Sequence, residues 1–315
     1  MRPLSLEKRP CLIFLGGLLG LTLLSSCSGK KTVPEGWDSI PRNCDTPFTS
    51  ACTPLPQEIA SSERIEAGLK DGPQGQKIQY YKIFPNRPSA RVIFIHGALG
   101  HASDFRREFS RPPKNAELVA YDRPGFVRSE TKQDAGSLAA QTKSLSAFLL
   151  EPTSLPTILV GHSYGGAIAL QAALTYPQKV QGLVLVSAIV DPEQARPYQI
   201  QSMLNVPTIA NALPKSVANT NREILRLQKE LEKLQGRLSK IAIPIEAIHG
   251  GKDSIVSASN LDYLKKQIAL AGKSALLKTK LFPEFGHLLP DHNPEEVMAA
   301  LEREMKRIES AESSR

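Results

Sequence analysis

Aromatic residues are scarce in this 315-residue chain, at 6%, and tryptophan occurs once. The basic side chains are scattered, with one denser group at Arg106, Arg107, Arg111 and Lys114. With no aromatic residues read as interleaved with it to stack bases, that group reads as a solvated helix face, and no nucleic-acid partner is expected. The 21 glycines and 24 prolines are too few for a collagen-like or low-complexity chain. Disorder is excluded from the other side, because 41% hydrophobic residues bury a sizeable core. No cluster of Cys, His and carboxylates suggests a metal site, and no glycine-rich pattern carries a dinucleotide or phosphate-binding fingerprint, so neither metal nor cofactor is expected. Cysteine is rare, with four in all.

Long apolar runs are also lacking. Residues 11–24 (CLIFLGGLLGLTLL) form an uncharged run shorter than the roughly 20 residues a spanning helix needs. Arg2, Lys8 and Arg9 precede the run, and Leu24-Ser25-Ser26-Cys27 follows it. This is the layout of a secretory signal over residues 1–26. It resembles a bacterial lipobox, which implies diacylglycerol on the Cys27 sulfur and an acylated amine. Ser28 then favours the outer membrane, so the expected location is the cell envelope with the membrane engaged through lipid. The alternative is an ordinary cleaved signal with Cys27 incidental. Cleavage removes Arg2, Lys8, Arg9 and Glu7, taking the net charge from +8 to +6.

In an exported chain, Cys44 and Cys52 read as a disulfide. A loop of that size gains roughly 2.5 kcal/mol from closure. A metal site is the alternative, but no histidine lies between residues 28 and 95. Residues 27–75 are then a lipid-linked tether carrying this loop.

Beyond the tether, short apolar runs predict strands at 77–84, 91–96, 117–121, 157–160, 183–187, 245–249 and 277–282. Helical patterns alternate with them at 136–150, 167–175, 259–271 and 294–309. Asn293, Pro294 and two glutamates mark the last start. Alternation of this kind implies an α/β architecture around a parallel sheet. Residues 191–240 break the alternation. There Ile224, Leu227, Leu231, Leu234, Leu238 and Ile241 recur at spacings of three and four, an apolar stripe on one helix. The stripe is too short to argue for a coiled coil and reads as a helical lid over the sheet.

The chemistry starts at Gly161-His162-Ser163-Tyr164-Gly165, which follows a predicted strand and opens a helical run. In that context Gly-x-Ser-x-Gly places a serine hydroxyl on a sharp, exposed turn. A serine needs a base, and the base needs an orienting acid. His287 and Asp253 each lie just beyond a predicted strand, at the sheet edge where open α/β folds bind ligands. The candidate triad is Ser163, Asp253 and His287, with Asp191 and His292 as weaker alternatives. The glycine-rich loop His96-Gly97-Ala98-Leu99-Gly100 supplies a candidate oxyanion hole, formed by the amides of Ala98 and Tyr164.

The motifs HGALG, YDRPGF, GHSYGG, HGGKD and FGH, spread over residues 77–308, resemble those of serine α/β-hydrolases. The resemblance implies an eight-stranded, mostly parallel sheet flanked by helices, with a helical cap after the sixth strand. The core is then 76–190 and 241–310, with the cap at 191–240. It also implies hydrolysis of a small-molecule ester or acyl compound through an acyl-enzyme. Asp122 and Gly125 match the family's Asp-x-x-Gly turn, whereas Val127 stands where a second glycine is common. Carbon–carbon bond hydrolysis, lactone opening and perhydrolysis use the same triad and remain alternatives, as does a non-catalytic envelope binding protein. Neither oligomeric state nor acyl-chain preference is legible.

Overall fold

The computed structural model describes residues 64–73, 75–127, 129 and 136–313. The signal, Cys27, Cys44 and Cys52 lie outside them. Eight strands form one sheet: β1 (Arg64–Gly72), β2 (Gln76–Phe84), β3 (Ala90–Ile95), β4 (Ala116–Tyr121), β5 (Thr157–His162), β6 (Gly182–Val186), β7 (Ile245–Gly250) and β8 (Leu277–Phe282). Their order is β1-β2-β4-β3-β5-β6-β7-β8. Pairing is antiparallel for β1 with β2 and β2 with β4, and parallel elsewhere.

Period-two alternation explains why the central strands carry continuous apolar runs. Ile93, Ile95, Leu159, Leu183 and Leu185 face one buried layer, while Val92, Phe94, Val160, Val184 and Val186 face another. Two sets of helices cover these layers. The first layer takes α2 (Leu138–Leu149), α3 (Tyr164–Thr175) and α7 (Ser259–Leu270). The second takes α1 (Arg106–Phe109), α8 (Leu289–His292) and α9 (Pro294–Ser313).

Three expectations change. The stretch 27–75 expected as tether gives way at Arg64 to a strand, which pairs with β2 along its whole length, from Arg64 opposite Phe84 to Gly72 opposite Gln76. The basic group around Arg106 does interleave with rings, but Phe105 and Phe109 are buried, and Arg106 and Arg107 pair with Asp291. The apolar stripe does not stay on one helix. Between β6 and β7 lie α4 (Gln199–Leu204), α5 (Pro207–Ala210) and α6 (Lys215–Gln235). Helix α6 stops before Gly236, so Leu238 sits in a separate 3-10 turn and Ile241 in extended chain. Leu227, Leu231, Leu234, Leu238 and Ile241 nevertheless pack into the first buried layer. The stripe is thus satisfied within the chain, as a lid rather than a coiled coil.

Candidate active site

Strand β5 ends at His162 and α3 begins at Tyr164, so a single residue, Ser163, makes the reversal. Its backbone is forced to φ 55° and ψ −120°, a conformation costing roughly 1–3 kcal/mol. Neighbouring bonds hold it there. The Ser163 amide donates to the Val186 carbonyl at 2.9 Å, and its carbonyl accepts from the Gly166 amide at 3.0 Å. The reversal also needs close approach. A Cβ at Gly165 would lie 2.1 Å from the Ile95 carbonyl oxygen, so only glycine lets α3 start against β3.

Asp253 follows β7 and His287 follows β8. His287 Nδ1 lies 2.7 Å from Asp253 Oδ2. Asp253 Oδ1 accepts from the amides of Ile255 at 2.9 Å and Val256 at 2.8 Å. His249 adds a contact of 3.2 Å from Nε2 to Oδ2, while also meeting the Val256 carbonyl at 2.9 Å. Burial pushes the Asp253 carboxyl up. The bonds from His249 and His287 outweigh burial and hold it well below the usual carboxylate range. Asp253 is therefore an anion pinned at both oxygens.

His162 joins the Ser163 turn to the His287 loop. Its Nε2 donates to the His287 carbonyl at 2.9 Å, and the two rings lie 4.8 Å apart. Burial, and then the neighbouring charge of His287, push its pKa down to about 4. Across the window from the unfolded value near 6.5 down to about 4, the unfolded chain binds this proton and the folded chain does not. Stability therefore falls as pH drops through that window. A His162→Gln chain is expected to show a shallower fall, read as urea midpoints measured across it. A slope equal to that of the parent would show that His162 ionises normally.

The loop after β3 closes the site. A Cβ at Gly97 would stand 2.9 Å from the Ser163 Cβ, so the loop rests directly against Ser163. Tyr164 is the first residue of α3, and first-turn amides have no partner within their helix. They also lie at the positive end of the helix dipole.

The weaker candidates are elsewhere. Asp191 caps a 3-10 turn by accepting from the Glu193 amide. The exposed His292 faces Asp291 at 3.8 Å. Among the described residues no group of three or more His, Cys, Asp or Glu is placed to hold a metal ion. Sequence reading missed His162, His249, Arg123 and Glu223. The first three sit inside quoted motifs (GHSYGG, HGGKD and YDRPGF). Glu223 carries no local signal. Val127, standing where the resembled family often has a second glycine, has a φ of 45° despite its branched side chain.

A family model described as alpha/beta hydrolase fold matches residues 90–225. The acetyltransferase component of an acetoin cleaving system from Pseudomonas putida is 24% identical, over 65% of this chain and 60% of its own length. Human monoglyceride lipase is 24% identical over 66% of this chain and 78% of its own. The chain thus spans three fifths to about three quarters of these relatives. An esterase from Exiguobacterium antarcticum has the same fold, with a TM-score of 0.60 at 17% identity, covering 76% of this chain and 100% of that one.

Proposed function

The chain has the α/β-hydrolase fold, and from that premise we propose a serine hydrolase that cleaves carboxylic esters or related acyl compounds. The observation that carries this reading is the 2.7 Å contact between His287 and the pinned Asp253 anion, linked through His162 to the strained Ser163 turn. Ser163 Oγ attacks the acyl carbon while His287 Nε2 takes its proton. The carbonyl oxygen gains negative charge and is held by the Ala98 and Tyr164 amides. Asp253 keeps the His287 proton on Nδ1, leaving Nε2 free as the base, and stabilises the imidazolium that forms. As the tetrahedral intermediate collapses, His287 returns the proton to the departing alcohol. Water then gives its proton to His287 and attacks the acyl-enzyme; as the acid leaves, His287 returns the proton to Ser163 Oγ, which restores both residues.

Lipase and esterase names among the relatives support acyl esters as the substrate class. The test is a fluorophosphonate probe and a series of p-nitrophenyl esters on the full chain in detergent. Labelling at Ser163 with ester turnover is expected, and neither labelling nor turnover would overturn the reading. The same proposal places the enzyme in the cell envelope, anchored by lipid at Cys27 and with its N-terminal segment looped by a Cys44–Cys52 disulfide. Radiolabelled palmitate should enter the parent chain and not a Cys27→Ala chain. Equal labelling of both would remove the anchor.

A further inference from the structure

We propose that Arg123 is the positioning residue for the oxyanion donor at the Ala98 amide, and that the lid helix α6 holds it in place through Glu223. This rests on the reading of Ser163 as nucleophile.

Arg123 lies in the loop after β4 and is fully buried. Its Nη2 donates to the Gly97 carbonyl at 2.8 Å. That carbonyl and the Ala98 amide belong to one peptide unit. In a planar trans peptide, C=O and N–H point to opposite sides. A guanidinium that captures the Gly97 oxygen therefore turns the Ala98 N–H to the other side of the loop and keeps it there.

Two more donors meet the same oxygen. His96 Nε2 accepts the Arg123 amide at 2.9 Å, so His96 carries its proton on Nδ1, which donates to Gly97 at 2.9 Å. The Gly100 amide adds a longer bond of 3.3 Å. Flipping the peptide breaks all three. A cation on the carbonyl also polarises the amide, which makes its N–H a stronger donor.

The lid fixes the cation. Glu223 pairs with both terminal nitrogens of Arg123, Oε2 meeting Nη2 at 3.2 Å, and both side chains are fully buried. Gln141 donates to the same carboxylate at 3.2 Å. The guanidinium lies 4.3 Å from the centre of the Phe126 ring and 4.9 Å from that of Tyr164, whose amide is the other proposed donor. One position further along the loop, the Leu99 amide donates to Thr220 Oγ1 of the same lid helix at 3.2 Å. A buried ion pair is a weak source of stability, because desolvation offsets its attraction. Its geometric effect is specific: lid docking and the orientation of the oxyanion loop become one event.

Arg123→Lys keeps the charge and loses the fork, and is the deciding variant. Its kcat on a p-nitrophenyl ester should fall about ten- to hundredfold with KM little changed, as for partial loss of one oxyanion donor. Counting active sites with the fluorophosphonate separates this from a mere loss of folded protein. The acid limb of the pH profile should stay where it is, since the triad is untouched. Affinity for a boronic acid, whose tetrahedral adduct on Ser163 fills the oxyanion site, should weaken by the same factor as kcat/KM. Glu223→Gln should lower kcat less and speed hydrogen exchange at the Ala98 and Leu99 amides. An Arg123→Lys chain that keeps wild-type kcat and boronate affinity overturns the proposal. If that chain does not fold, Glu223→Gln decides: unchanged kcat and unchanged exchange in the loop overturn it. Failure of the underlying reading shows separately, as hydrolysis retained by Ser163→Ala whatever the state of Arg123.

Discussion

Ser163→Ala is expected to remove ester hydrolysis almost completely, with kcat falling on the order of 10^6-fold while the fold persists. Alanine has the same Cβ as serine, so the strain of φ 55° is neither relieved nor increased. The bonds that hold the turn come from the Ser163 backbone and survive the substitution. What disappears is the only atom that bonds to the acyl carbon. His287, Asp253 and the oxyanion amides then act on water alone, so a small residual rate above the uncatalysed reaction should remain. Kinetics on a short p-nitrophenyl ester, together with the thermal midpoint, check both halves. Hydrolysis near the parent rate would show that another group is the nucleophile.

Asp253→Asn should cost about 10^4-fold in kcat, and the geometry says why so small a change is so costly. Oδ1 accepts from two backbone amides, at 2.9 and 2.8 Å, and that position must stay an acceptor. The asparagine oxygen goes there, and its NH2 replaces Oδ2. Two imidazole nitrogens, of His287 and His249, then meet a donor where they met an acceptor. His287 answers by moving its proton to Nε2, and the base is lost. A pH signature accompanies the loss. The native carboxyl is held below its unfolded value of about 3.9, so it contributes stability above that pH, which is lost as pH falls through the folded value. The difference in stability between parent and variant should therefore shrink below about pH 4. A variant that keeps parent-like kcat would remove Asp253 as the orienting acid.

The central strands were legible because each is buried on both faces and so spells a continuous apolar word. Strand β1 was not. Ile65, Ala67 and Leu69 alternate with polar residues and glycine, yet its described side chains are exposed or half-buried, Leu69 included, so the alternation marks no buried face. What identifies it is pairing with β2, which a local pattern does not record. The places of Ser163, Asp253 and His287 in the fold were legible for a different reason: each follows a recognisable strand, and strand ends gather at one edge. The Arg123–Glu223 pair joins residues 100 positions apart. Glu223 reads as one more charge on an amphipathic helix. Only tertiary structure turns that helix so its first turns bury Asn219, Thr220, Asn221 and Glu223 while its later turns bury leucines. Helix α6 also ends earlier than its stripe, because the same apolar spacing continues through a 3-10 turn and extended chain.

That divided lid bears on how such an enzyme can diversify. The half of the insert from Leu227 onward belongs to the main core, and changes there carry a stability penalty. The half before α6 is different. Met203 on α4 and Ile209 on α5 are exposed, as are Tyr198 and Val206 just before them, and these short helices add little to either buried layer. Mutations there are nearly neutral for folding, so selection on substrate choice can act on them without first finding compensating stabilisation. The insert is a place where specificity can drift while the scaffold stays fixed.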